Sequence, residues 1–280
     1  MTPSNNARTY DLGYFGPDSV AWRLHRSPLA LVGGIRALMV QASEPRALAA
    51  VVATGGFRED PLGRLRRTSA FVGVTTYGEK AEARASIRHV KRVHKGIVGI
   101  DPITGLAYDA NAPDLTAFVH NALVESMVIA GERYLGGFGL GDLDRYVSEM
   151  TVIGRLMGAP SSELPTDVVG VRRWMARFPT RMVTETTKSA LAQLFEMRVE
   201  PVMQPIFDLC LRAAACTLPE WMEEALPSPP SMMDRTLLPW VTRAGELVGQ
   251  VLLPSPPSIQ LAKQRMHENW RASANRLVGN

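Results

Sequence analysis

The 280-residue chain is poor in cysteine: Cys210 and Cys216, close together in one segment, make neither a disulfide framework nor a four-thiolate metal site. Thiols in a reducing compartment are expected. Long uncharged runs are missing too, because the most apolar stretch, residues 29–53, is broken by Arg36, Glu44 and Arg46, whereas a spanning helix needs about 20 nearly uncharged residues. The opening string MTPSNNARTYDLG is polar and turn-like rather than a basic-then-apolar leader. The expectation is a cytoplasmic protein without a transmembrane segment, with peripheral contact to a membrane left open. Charge of one sign is scarce: 31 Lys and Arg stand against 27 Asp and Glu, a net +4 spread along the chain, which is a weak footprint for nucleic acid. GxxxxGK[ST], GxGxxG after a strand, HExxH, CxxC and GxSxG are all absent, which removes the usual nucleotide, zinc and serine-hydrolase chemistries. The glycine-rich string GGFGLG at 136–141 lies between helical patterns with no strand before it and reads as a turn.

What the chain does have is apolar residues, 46% of the total, recurring at a period nearer 3.6 than 2 in almost every segment. An all-α protein with a single helical domain over 1–280 is expected: an irregular arm to residue 26, a core over 27–160, and C-terminal helices with Pro-rich loops over 161–280. Ser27-Pro28 and Ser43-Glu44-Pro45 are helix starts, the second predicting a break near Pro45. Asp60-Pro61 opens a helix to about Tyr77, followed by a charged helix over roughly 80–98. Residues 99–114 read as a long connection of the kind used around sites. Helices are then expected over about 114–135, 142–157 and 166–178, with shorter ones after Glu185, interrupted by Pro201, Pro205, Pro219 and the Pro-rich run at 226–231. The two LPSPPS strings at 226–231 and 253–258 read as rigid surface connections.

Five histidines are few, so their helical phase matters. His94 shares a stripe with Ile87, Val90 and Ile97, and His120 shares one with Thr116, Leu123, Val124 and Met127, so both are expected to face the interior. A neutral imidazole there either finds a hydrogen-bond partner or ligates a metal. His25, His89 and His267 are expected at the surface. Arg64 and Thr68, four apart, share a helix face, where an arginine either holds a carboxylate or pairs with an acidic neighbour.

Six strings, taken in order, carry more: WRLHRSPLALVGGIRAL (22–38), PRALAAV (45–51), FREDPLGRLRRT (57–68), VHKGIVG (93–99), DPITGLAYDA (101–110) and FVHNALVES (118–126). They resemble the rubber oxygenase (latex clearing protein) family, which also includes the membrane-associated oxygenase of mycophenolic acid biosynthesis. The resemblance is strongest over residues 20–160. It implies a globin-like helical domain around a haem pocket, holding haem b through one histidine and using dioxygen. On this resemblance His94 matches the iron ligand, with basic Lys91 three before it. Arg64 and Thr68 match an R-x-x-x-T pair near the haem, and His120 becomes a pocket residue with a smaller claim to the iron. Many members carry His-Pro where this chain has Glu44-Pro45, so the resemblance implies Glu44 as a replacement proton donor or acceptor, and Val98 stands where a basic residue is usual. The expected function is a haem-dependent oxygenase acting with dioxygen on a small apolar or amphipathic substrate. A non-catalytic haem or hydrophobic-ligand binder of the same fold is the alternative. A nucleic-acid regulator drawing on residues 64–67 and 84–95 lacks a helix-turn-helix unit.

Overall fold

Helix caps and apolar stripes organise the chain much as the pattern predicts. The computed structural model describes residues 11–55, 60–252 and 259–268, and among these the regular structure is almost entirely helical. Eleven helices run in the order α1 Val20–Arg26, α2 Ala30–Gln41, α3 Pro45–Ala53, α4 Pro61–Tyr77, α5 Lys80–His94, α6 Pro113–Arg133, α7 Leu140–Met157, α8 Val168–Arg177, α9 Glu185–Glu196, α10 Gln204–Ala215 and α11 Met232–Leu252. Short 3-10 turns cover Ser161–Glu163 and Glu220–Ala225, and residues 259–268 are helical as well. The chain does break at Ala42–Glu44, before Pro45 starts α3. The second LPSPPS string lies outside the described residues; the first connects the 3-10 turn to α11.

The centre is the pair α2 and α6, which approach closely at Gly33. A Cβ there would lie 3.2 Å from the Met127 Cα and 3.3 Å from the Ser126 carbonyl oxygen, so hydrogen at this position lets the two backbones meet. Around the pair, Leu24, Ile35, Met39, Phe118, Tyr134, Leu143, Tyr146 and Met175 form part of one buried apolar cluster. Arg36, itself buried, pins three elements: its guanidinium donates to the Ser126 hydroxyl (2.8 Å), the Glu125 carboxylate (3.2 Å) and the Thr217 carbonyl (3.2 Å). Both cysteines are buried free thiols, and burial pushes the Cys210 pKa up to about 12.

Three local expectations are corrected. The arm before residue 27 contains α1, whose Val20, Ala21, Trp22 and Leu24 are buried; the Ser19 hydroxyl caps it by accepting the Trp22 N–H at 3.1 Å. Residues 99–114 are not simply a connection. Val98–Ile100 (β1) pairs antiparallel with Ala107–Asp109 (β2), Val98 opposite Asp109 and Ile100 opposite Ala107. The Asp101 carboxylate closes the turn by accepting the Thr104 N–H (2.8 Å) and hydroxyl (2.5 Å). As a consequence α5 stops at His94. Pro239 lies inside α11. The carbonyl its missing N–H leaves free, that of Arg235, accepts instead from the Arg133 guanidinium at 3.2 Å, so the usual penalty for an internal proline is offset.

The third correction concerns His25, which lies half-buried between helices rather than at the surface. Its Nδ1 is 2.8 Å from the Thr76 hydroxyl on α4 and its Nε2 is 3.0 Å from the Tyr146 hydroxyl on α7. Burial lowers its pKa to about 4, as it does that of His120. Both imidazoles are therefore neutral when folded but protonate below about 6.5 when unfolded. Unfolding takes up protons between these values, so stability is complete above about 6.5 and falls as pH drops toward 4, each histidine contributing a slope of up to about 1.4 kcal/mol per pH unit. Urea midpoints measured across this window should fall steadily, and less steeply for His25→Gln; a midpoint independent of pH would contradict the burial of both rings.

Candidate functional site

The turns that carry Arg64 and His94 lie near each other because α4 and α5 are joined by only Gly78 and Glu79 and pack against each other. Asp60 starts α4 by accepting the Gly63 N–H at 2.8 Å, and Glu79 starts α5 in a capping box with Glu82. Such a helical hairpin sets the first turns of α4 beside the last turn of α5. The Arg64 charge reaches His94 and, with burial as the larger cause, lowers the imidazole pKa; a backbone hydrogen bond at Ala110 and the charge of Asp109 oppose the shift. His94 is thus held in its neutral form, the form that ligates metals.

Arg64 is half-buried, and burial together with the nearby Arg67 charge lowers its own pKa. Among the described residues its guanidinium makes no ion pair and no hydrogen bond, while neighbouring arginines are matched: Arg67 with Asp60 at 3.0 Å and Arg66 with Glu200. A partly desolvated cation without a counter-charge suits an anion or an oxygen bearing negative charge. Thr68 lies one turn on and is exposed; its hydroxyl donates to the Arg64 carbonyl at 3.0 Å, a bond internal to the helix. Only the last turn of α4, Thr75, Thr76 and Tyr77, is fully buried. There Tyr77 stacks edge-on against Trp22 and donates its hydroxyl to the Trp22 carbonyl at 3.1 Å. Leu65, Phe71 and Val72, further up the helix, keep partial exposure.

The end of α5 is also fastened from the far side. Asn111 donates its side-chain N–H to the Lys91 carbonyl at 3.0 Å, and the Ala110 N–H donates to the Ile97 carbonyl at 3.0 Å, so the β1–β2 hairpin is clipped to the turn that carries His94. Asp109 and Ala110 are the neighbours of His94 that the sequence did not single out; the Asp, Pro and Gly content of 99–114 was the signal pointing at that segment.

Glu44 and His120 are held elsewhere. Glu44, fully buried at the α2–α3 junction, has both carboxylate oxygens engaged, Oε1 by the Arg46 guanidinium at 2.7 Å and Oε2 by the Thr180 hydroxyl. Arg46 continues to Asp114 at 2.9 Å, and the Met182 N–H donates to the Ser43 carbonyl at 2.8 Å, so this cluster ties the α2–α3 junction to the segment before α9. His120 is buried on α6 with its ring against α7. A Cβ on Gly154 would lie 3.0 Å from its Nε2 and 2.7 Å from a Leu164 methyl, which is why glycine stands there. Among the described residues His120 makes no hydrogen bond.

No group of three or more His, Cys, Asp or Glu is arranged around a common point among the described residues. A bare transition-metal ion asks for three or four protein ligands, whereas a macrocycle that brings its own nitrogens asks for one. Among the described residues no helix is long and apolar enough to cross a membrane. A protein-family model described as ER-bound oxygenase mpaB/B'/Rubber oxygenase, catalytic domain, matches residues 22–249. No curated protein and no solved structure matches the chain.

Proposed function

Because the chain belongs to the mpaB/rubber oxygenase catalytic-domain family, we propose that it is a haem b-dependent oxygenase acting with dioxygen on a small apolar or amphipathic molecule, with His94 as the protein ligand to iron. The observation that carries this reading is the neutral His94 imidazole near the half-buried Arg64 guanidinium, which has no partner among the described residues. These residues fit the group. One neutral imidazole is the ligand a haem needs from the protein, and an uncompensated guanidinium suits a haem carboxylate or a partly negative oxygen. When bound, haem supplies the redox chemistry that activates dioxygen.

The protein's own part is orientation and exclusion of water. The Ala110 backbone and the Asp109 charge act on the His94 ring from the hairpin side, where a partner for the second ring nitrogen would orient a metal-ligating histidine. Leu65, Phe71 and Val72 offer apolar surface along α4, and Thr68 adds a hydroxyl one turn from Arg64. Glu44 enters this reading as the anchor of the α2–α3 junction.

One observation favours a second reading, a non-catalytic binder of haem or of a hydrophobic ligand. At the position where many members carry histidine, Glu44 is fully buried with each oxygen already holding a protein donor, so it is built as an anchor rather than as a group facing a substrate. Haem titration of the purified chain, followed by absorption and by dioxygen consumption with a polyunsaturated alkene, separates the two. A Soret band saturating at one equivalent with oxygen uptake is expected. A band without uptake selects the binder, and no band removes both.

A further inference from the structure

We propose that Arg265 is a positioning residue for the Arg64–His94 site, acting through the turn that joins α4 to α5. It stands on the C-terminal helix at 259–268, beyond the residues that the family model matches. Ile259 and Ala262, both buried, seat this helix by closing a small apolar cluster with Trp22 of α1 and Tyr77 of α4, and Met266 packs against it. The Arg265 guanidinium then lies over the turn. It donates to the Tyr77 carbonyl, one of those that the end of α4 leaves without a helical partner, and to the Glu82 carboxylate at 3.3 Å, and it pairs with Glu79 at 3.5 Å. Tyr77 is the last residue of α4, whereas Glu79 and Glu82 form the capping box that starts α5. One planar cation therefore bridges both sides of Gly78 and fixes the angle between the two helices. Asp11 holds the same turn on the α5 side, accepting the Lys80 N–H at 2.9 Å.

The turn is also where the hairpin is most firmly attached to the body. Along α4 only Thr75, Thr76 and Tyr77 are fully buried, and along α5 only Ala83 and Ile87, both in its first half. Residues 61–74 are half-buried or exposed throughout. The far end of α5 has its own clip in the Asn111 and Ala110 hydrogen bonds. The far end of α4 has partial burial of Leu62 and Leu65 and the exposed Arg66–Glu200 pair, and exposed pairs hold little. The direction of α4 is therefore set chiefly at the turn. Arg64 lies about 20 Å along the helix from Gly78 at ~1.5 Å per residue, so a swing of about 6° displaces it by about 2 Å. Binding constellations tolerate about 0.5 Å.

Arg265 has this role only where Arg64 and His94 form the haem site, as proposed above, so the first measurement is made without haem and the second with it.

Hydrogen exchange of the haem-free full chain, followed by mass spectrometry, should run about tenfold faster over residues 61–74 in Arg265→Gln than in wild type, with α6 and α10 unchanged. In the haem-loaded chain the same variant should release haem about tenfold faster, the direction expected for Arg64→Gln. Arg64→Gln/Arg265→Gln should release it no faster than Arg64→Gln alone, because Arg265 acts through Arg64. Arg265→Lys should restore the wild-type urea midpoint but not the release rate, since an ammonium keeps the charge opposite Glu79 and Glu82 and cannot span the turn. Unchanged exchange over 61–74 would overturn the assignment whether or not the chain takes up haem. So would additive effects of Arg64→Gln and Arg265→Gln on release, or a lysine variant that restores both measurements. Faster exchange in a chain that takes up no haem would remove the positioning role together with the haem reading and leave Arg265 as a structural fastening.

Discussion

His94→Ala is expected to abolish stable haem retention. Partners that only orient a ligating histidine are worth about 10–100-fold in affinity, so loss of the ligand itself should cost more than about 100-fold. The variant should fold, because His94 is the last residue of α5, is half-buried, and leaves the helix hydrogen bonds of the Lys95 N–H to the Lys91 and Arg92 carbonyls intact. Three further measurements separate ligation from a general packing effect. Added imidazole should restore a Soret band to the His94→Ala protein by filling the position of the missing ring. Arg64→Gln should retain the band but release haem faster, because it removes a counter-charge rather than the ligand. His120→Ala should leave the band in place, since that ring packs against Gly154. A His94→Ala spectrum identical to wild type would transfer the ligand role to His120.

Arg36→Met is expected to destabilise the fold by about 2–4 kcal/mol. The side chain is buried at the crossing of α2 with α6 and the end of α10, and methionine matches its stem but none of its donors. The cost comes chiefly from what is left behind: a largely buried Glu125 carboxylate without its cation, a Ser126 hydroxyl and a Thr217 carbonyl without their donor. Two features keep the value below the upper end for broken buried pairs. Glu125 keeps some contact with solvent, and the Arg181 charge is close enough to interact with it. The double variant Arg36→Met/Glu125→Leu should regain most of the loss, because a buried pair replaced by apolar side chains avoids the stranded charge. Urea unfolding with an unchanged slope and a lower midpoint is the readout. A single variant as stable as wild type, or a double variant no better than the single, would show that the pair does not pin these helices.

Much of the helical layout was legible because its causes are local. Asp60 followed by Pro61, the break before Pro45 and the 3.6 spacing of apolar residues act over one or two turns, and each reads the same in the sequence as in the structure. Where the reading missed, a distant partner outweighed the local pattern. α1 is seven residues with two arginines and too short to announce itself, yet it buries Trp22 against Tyr77. His25 sits among polar neighbours in sequence but finds Tyr146, 121 positions away. Residues 99–114 looked like connection because the strands they hold are only three residues each.

The sequence by itself determined the all-helical class, the family, the helix starts and the residue types able to do chemistry, since composition, period and capping are properties of short stretches of chain. Only the tertiary structure decided how those residues are used. The α4–α5 hairpin brings Arg64 near His94 and leaves the cation without a partner among the described residues, while Thr180 and Arg46 occupy Glu44 and α7 walls in His120. The physical reason is that charge, burial and hydrogen-bond supply at a side chain are set by whatever packs against it. For Glu44 and His120 that neighbour is distant in the chain, and for Arg64 and His94 it is the next helix folded back.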